Sequence, residues 1–172
     1  MRQFVILVGF MLLFSGAAMA QDTPKAEVFG GYSYVNVHGF SVPGGWHGSL
    51  AGNVNRWFGI VGEISGHYES RGAANANAHV FTVGPRFSAR GEKLTPFAHV
   101  TFGGARFGAS LANSSASASG FAITVGFGLD IKAGDHIAIR VPQFDYITTN
   151  IANDRQHSAR ISLGIVFRLG SK

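Results

Sequence analysis

Residues 46–69 read WHGSLAGNVNRWFGIVGEISGHYE, and the parity of this stretch decides the fold. Trp46, Gly48, Leu50, Gly52 and Val54 fall on one side of a period of two, and His47, Ser49, Ala51, Asn53 and Asn55 on the other. After a break at Trp57 the pattern resumes, with Phe58, Ile60, Gly62, Ile64 and Tyr68 opposing Val61, Glu63, Ser65, His67 and Glu69. Successive side chains of a strand point to opposite faces, so this alternation marks two strands joined by a tight turn.

The same period runs through the rest of the chain. Phe81, Val83, Pro85 and Phe87 oppose Thr82, Gly84, Arg86 and Ser88; Phe121, Ile123, Val125, Phe127 and Leu129 oppose Ala122, Thr124, Gly126, Gly128 and Asp130. Ile161, Leu163, Ile165, Phe167 and Leu169 oppose Arg160, Ser162, Gly164 and Arg168. Eight segments result, at about 26–37, 46–56, 58–69, 79–90, 94–107, 119–131, 136–148 and 158–169. In the seventh, Ile137, Ile139 and Val141 have one parity and Phe144 and Tyr146 the other. A β-bulge near Pro142, which cannot donate to the ladder, restores the phase and puts Arg140 and Asp145 on one face. Connections after the second, fourth and sixth segments are tight, at Trp57, 91–93 and 132–135. The others are expected to be longer loops, including Arg71 to Asn77 and Ser110 to Ser119.

The amino terminus reads differently. Arg2, the apolar stretch Phe4 to Phe14 and the small residues of Ala18-Met19-Ala20 have the order of a secretion signal. Residues 1–20 are therefore expected to be a cleaved signal peptide, and 21–172 a single β-barrel domain. There is no Cys to staple the exported chain or carry a lipid anchor. Only 13% of residues are charged, against about a quarter in soluble domains. Yet no later apolar run approaches the roughly 20 residues of a membrane helix. The formal charge of +5 is spread singly along the chain, which argues against nucleic-acid binding.

Size decides which face is outside. The interior of a closed eight-stranded barrel is just wide enough for side chains. The large apolar set would overfill it, whereas Gly, Ser, Ala and Thr fit and leave room for a few long polar groups. Those groups are Glu63, Arg86, Asp130, Arg140, Asp145 and Arg160, three acidic and three basic. Charge buried away from water is strongly penalised unless paired, so balanced signs suit one narrow lumen. The apolar face is then in lipid, where backbone groups must be satisfied internally and strands must close into a barrel. Segments near the 9–11 residues of a tilted strand, and aromatic residues near segment ends, agree with this.

The carboxyl terminus carries a short specific pattern. Ser162, Gly164, Phe167 and Leu169 resemble the β-signal read on the last strand by the barrel-assembly machinery, although Gly170-Ser171-Lys172 follow it. The whole of 21–172 resembles the small eight-stranded OmpA-like or opacity-type outer-membrane barrels. Phe29-Gly30-Gly31-Tyr32-Ser33-Tyr34, Val83-Gly84-Pro85-Arg86-Phe87, Pro96-Phe97-Ala98-His99, Phe102-Gly103-Gly104 and Asp145-Tyr146 carry the likeness. The resemblance implies a closed antiparallel all-β barrel in the bacterial outer membrane, with a lumen filled by charges. It also implies lipid and lipopolysaccharide as surroundings, and a monomer that needs no partner to close.

Other chemistry finds less support. Seven His are present, with His38, His47, His67, His79 and His157 expected near the long-loop rim, but no close His pair or Cys offers zinc geometry. No metal or cofactor is expected. Barrel enzymes that modify lipid A use His and Ser, and His157-Ser158 with Glu69 or Asp154 is the only nearby set. Neighbours on a strand point apart, so no enzyme is expected. The sequence favours a structural or porin-like barrel with at most a narrow pore, ahead of an adhesion or ligand-binding barrel acting through its loops.

Overall fold

The computed structural model describes residues 23–37, 40–42, 44–71, 74–111, 114–151 and 154–170. The expected signal segment 1–20 and His38 lie outside the described residues. Within them the chain forms nine strands: β1 (Ala26–Val37), β2 (Phe40–Val42), β3 (Gly45–Asn53), β4 (Phe58–Arg71), β5 (Ala74–Ser88), β6 (Leu94–Leu111), β7 (Ser114–Lys132), β8 (Ile137–Ile151) and β9 (Asp154–Leu169). There is no helix among the described residues.

Eight of these strands are the staves of a closed barrel, each antiparallel to its neighbour. Closure comes from β1 and β9, paired from Ala26↔Leu169 to Val37↔Ser158. The three-residue β2 returns beside the end of β1 and does not add a stave. With no open edge, the ladder satisfies the backbone groups that lipid cannot.

Alternation sorts the two faces as the sequence indicates. Leu50, Ile60, Phe81, Val83, Phe127 and Leu163 are exposed on the outside, and Ser65, Thr101, Thr124 and Ser162 are buried within. The bulge falls at Val141-Pro142: the β7–β8 register shifts between Gly128 and Asp130, and the β8–β9 register between Arg140 and Gln143. As a result Val141 and Phe144 both face out while Arg140, Gln143 and Asp145 all face in.

The connections depart from the expected asymmetry. Instead of long loops at Arg71 to Asn77 and Ser110 to Ser119, β5 starts at Ala74, β6 runs to Leu111 and β7 starts at Ser114. Ala74, Asn75, Ala76, Asn77 and Ala78 alternate, as do Ser115 through Ser119, and their backbones pair across the hairpin despite side chains with little β preference. The asymmetry lies in overhang. On β7, residues 114–120 pair with β6 alone, because the β8 ladder begins at Phe121↔Asn150. The second segment also ends earlier than expected, at Asn53. Asn55 Oδ1 accepts from the backbone N–H groups of Trp57 (3.0 Å) and Phe58 (2.8 Å), folding 54–57 into a turn.

Candidate functional site: the barrel interior

The six charged residues singled out from the sequence meet inside the barrel. Near the short-turn end, Asp130 of β7 receives Arg140 of β8 at 2.7 and 3.0 Å and Arg86 of β5 at 3.1 Å. Further up, Asp145 Oδ2 of β8 accepts from Arg160 Nε of β9 at 2.8 Å, Arg160 Nη2 lies 2.8 Å from the same oxygen as an ion pair, and Glu63 of β4 lies 3.6 Å from that guanidinium. All six side chains are buried.

Gln143, absent from the sequence-based set, joins the two groups. Its Oε1 accepts from Arg140 at 3.0 Å, while its Nε2 donates to Asp145 at 3.0 Å and Glu63 at 3.2 Å. An amide has both a donor and an acceptor end, so it can bridge a guanidinium to carboxylates without adding charge. The bulge at Pro142 gives Gln143 this inward direction.

The structure adds further members. Glu27 of β1 takes Arg86 at 2.9 Å and Arg90 at 2.7 Å. His99 of β6 sets Nε2 between Glu63 (3.3 Å) and Asp145 (3.2 Å). His47 lies 3.4 Å from Glu63 through Nε2 and 3.1 Å from Ser162 Oγ through Nδ1. Ser33 continues the chain, contacting Ser162 at 3.4 Å and His67 at 3.0 Å. Parity was the available signal for these: Glu27 alternates with Val28, and His99 with Val100.

Phe29 and Phe97 also face in, among the charges. Arg140 stands over the rings of Phe29 (4.5 Å) and Phe97 (4.3 Å), and Arg86 over Phe97 (4.2 Å). Stacking on a ring face favours a buried guanidinium beyond what its carboxylate supplies. Room for this comes from β7 glycines. A Cβ on Gly128 would meet the Phe97 ring at 2.6 Å, and one on Gly126 would collide with Asp145 and meet His99 at 2.6 Å.

The expectation of rim histidines is corrected for His47 and His67, which are buried in the interior. The strands run on past the positions where loops were expected, so these residues sit below the rim, on the parity of Glu63. His79 and His157 face outward, packing against Tyr68 and Tyr146 respectively. His157 Nδ1 lies 3.3 Å from Thr148 Oγ1, a contact that supplies no orienting acid. Among the described residues no group of three or more His, Asp or Glu side chains forms a metal-binding cluster.

At the carboxyl-terminal pattern, Phe167 and Leu169 are exposed on the outer face and Ser162 is buried. Gly164 opposes Gly31 across the β1–β9 closure, where a Cβ on either would collide with the facing backbone.

The family model described as "Outer membrane protein beta-barrel domain" matches residues 6–167. Among solved structures, Neisserial surface protein A is similar over 84% of this chain and 96% of its own, with 10% identity and a TM-score of 0.67. Ail, the attachment invasion locus protein of Yersinia pestis, is similar over 86% of this chain and 100% of its own, with 15% identity and a TM-score of 0.55. The N-terminal β-barrel domain of Pseudomonas aeruginosa OprF covers the same shares at 9% identity and a TM-score of 0.56. At these identities the likeness is one of fold. Comparison with curated proteins gives no match.

Proposed function

The chain belongs to the outer membrane protein β-barrel domain family, and from that premise we propose a structural or porin-like barrel whose interior is closed by its own side chains, passing at most water or small ions. It is a bacterial outer-membrane protein that crosses the membrane with eight strands. One observation carries the proposal: an unbroken succession of contacts from Glu27 through Arg86, Asp130, Arg140 and Gln143 to Asp145 and Arg160. A buried ion pair that loses one partner costs about 3–5 kcal/mol, so the chain resists being parted to admit a solute. Proteoliposome swelling tests this. Arabinose uptake no faster than in protein-free vesicles is the expected result, and rapid uptake would overturn the reading.

The surroundings belong to the same proposal. Exposed Leu50, Phe81, Phe127 and Leu163 suit lipid tails and the membrane portion of lipopolysaccharide, and β9 offers the barrel-assembly machinery its terminal pattern. The barrel closes on itself, in keeping with a monomer.

A second reading, adhesion, draws on the overhanging β6–β7 hairpin, whose side chains at 115–119 are all exposed. Shortening this hairpin above Phe107 and Ser119 should abolish cell attachment if adhesion is the role. Unchanged attachment removes that reading.

A further inference from the structure

The two halves of the interior differ in charge. Toward the hairpin end, Glu63 and Asp145 face one guanidinium, Arg160, with His99 and His47 alongside. Toward the short-turn end, which is periplasmic in barrels of this kind, the carboxylates Glu27 and Asp130 face four guanidiniums: Arg86, Arg90, Arg140 and Arg168. Asp130 is engaged by Arg140 and Arg86. Glu27 is shared among Arg90, Arg168 and Arg86.

Glu27 cannot satisfy them. Its Oε1 accepts from Arg90 Nη1 at 2.7 Å, while Arg168 Nε stands off from the same oxygen at 4.0 Å, beyond hydrogen-bond reach. Among the described residues five buried guanidinium atoms have no hydrogen-bond partner, four of them at this end (Arg86 Nε, Arg90 Nε, Arg90 Nη2 and Arg168 Nε) and one, Arg160 Nη2, at the other. Glu27 Oε2, 2.9 Å from Arg86 Nη1, is the one acceptor oxygen among the described residues at this end in the same condition. Arg168 Nη2 donates to Thr95 Oγ1 over a long 3.4 Å. A guanidinium carries five donors and never an acceptor, so donors left over at a cation-rich site call for an acceptor that bears negative charge.

The backbone that carries Arg90 and Arg168 is held in place. Ala89 N–H donates to Pro96 O and Gly91 N–H to Leu94 O, both at 2.9 Å, which fixes Arg90 in a closed turn. Arg168 N–H donates to His136 O at 2.8 Å. Their side chains remain 7% and 12% exposed, compared with 2% for Arg86 and Arg140, so they form the edge of the buried network that meets water.

We infer that the short-turn mouth of the barrel binds a small inorganic oxyanion of the phosphate class, held by Arg90 and Arg168 beside Glu27. The planar guanidinium fork matches the paired oxygens of an oxyanion, which a spherical halide cannot offer. The site does not depend on whether the interior conducts, because it is reached from the mouth.

The test follows the Arg Nε–Hε cross-peaks of 15N-labelled protein, purified from membranes into maltoside micelles. Sodium phosphate is titrated in, with sodium chloride at matched ionic strength as the second arm. Peaks are assigned through Arg90→Lys and Arg168→Lys. Saturable phosphate-dependent shifts at Arg90 and Arg168, with Arg160 unmoved, are expected. Arg168→Gln should then weaken the response at Arg90 about tenfold or abolish it, with heat-modifiable gel migration showing that the barrel has folded. If Arg168→Gln does not fold, Arg168→Lys takes its place, because it keeps the charge and loses the fork. Absent shifts, equal shifts with chloride, or equal shifts at Arg160 would overturn the site.

Discussion

Asp130 and Arg140 are cross-strand partners on β7 and β8, and they meet through both oxygens: Nε to Oδ1 at 2.7 Å and Nη2 to Oδ2 at 3.0 Å. This fork-to-fork geometry sits directly beside the β8 bulge. Asp130 also holds Arg86, so one carboxylate neutralises parts of two buried guanidiniums.

Removing that carboxylate should be severe. Asp130→Ala leaves Arg86 and Arg140 underpaired and is expected to destabilise the folded barrel by about 3–5 kcal/mol. The double variant Asp130→Ala/Arg140→Ala should lose less than the two single losses added together, because the uncompensated cation goes with its partner. Urea unfolding in lipid vesicles reads both. Strict additivity would mean that the two residues do not act as a pair.

The strand glycines separate into those that the interior needs and those that it does not. Gly126→Ala drives a Cβ into Asp145 and His99, and a loss of about 1–3 kcal/mol is expected. Gly62→Ala faces outward with no atom within 4 Å of the new Cβ and should fall within about 0.5 kcal/mol of wild type. The same unfolding assay distinguishes them, and equal effects would contradict the packing described here.

Parity made most of this legible. The two-faced pattern of 46–69, the bulge required by Phe144 and Tyr146, and the six inward charges could all be read from residue order. What escaped was of two kinds. Ser110 to Ser119 read as a loop because small polar side chains carry no apolar alternation, although the backbones of 110–111 and 114–119 are paired in the β6–β7 ladder. Gln143, His99 and Glu27 lay on the inner parity, but their pairings depend on which residues of distant strands share a level, and that register follows from closing the barrel.

The bulge offers a direct check. Deleting Pro142 removes the extra residue, so Val141 and Gln143 alternate directly, Phe144 and Tyr146 stay outward and Gln143 and Asp145 stay inward. A heat-modifiable barrel should still form. A deletion that fails to fold would contradict the reading of Pro142 as the extra residue of the bulge.

The carboxyl-terminal pattern should act on assembly more than on stability. Phe167 is 49% exposed on the outer face, so Phe167→Ala should lose less than about 1.5 kcal/mol in vesicles. Its yield in the outer membrane of cells should nonetheless fall several-fold, as read by membrane fractionation. Equal losses in both settings would indicate a packing role without an assembly signal.

The most direct test of the closed interior is single-channel conductance in planar bilayers, recorded for the wild type and for Arg86→Ala/Arg140→Ala. A closed interior should give little or no wild-type conductance and a larger, resolvable opening once the two guanidiniums are removed. Large, stable wild-type channels, or a folded variant as silent as the wild type, would contradict it.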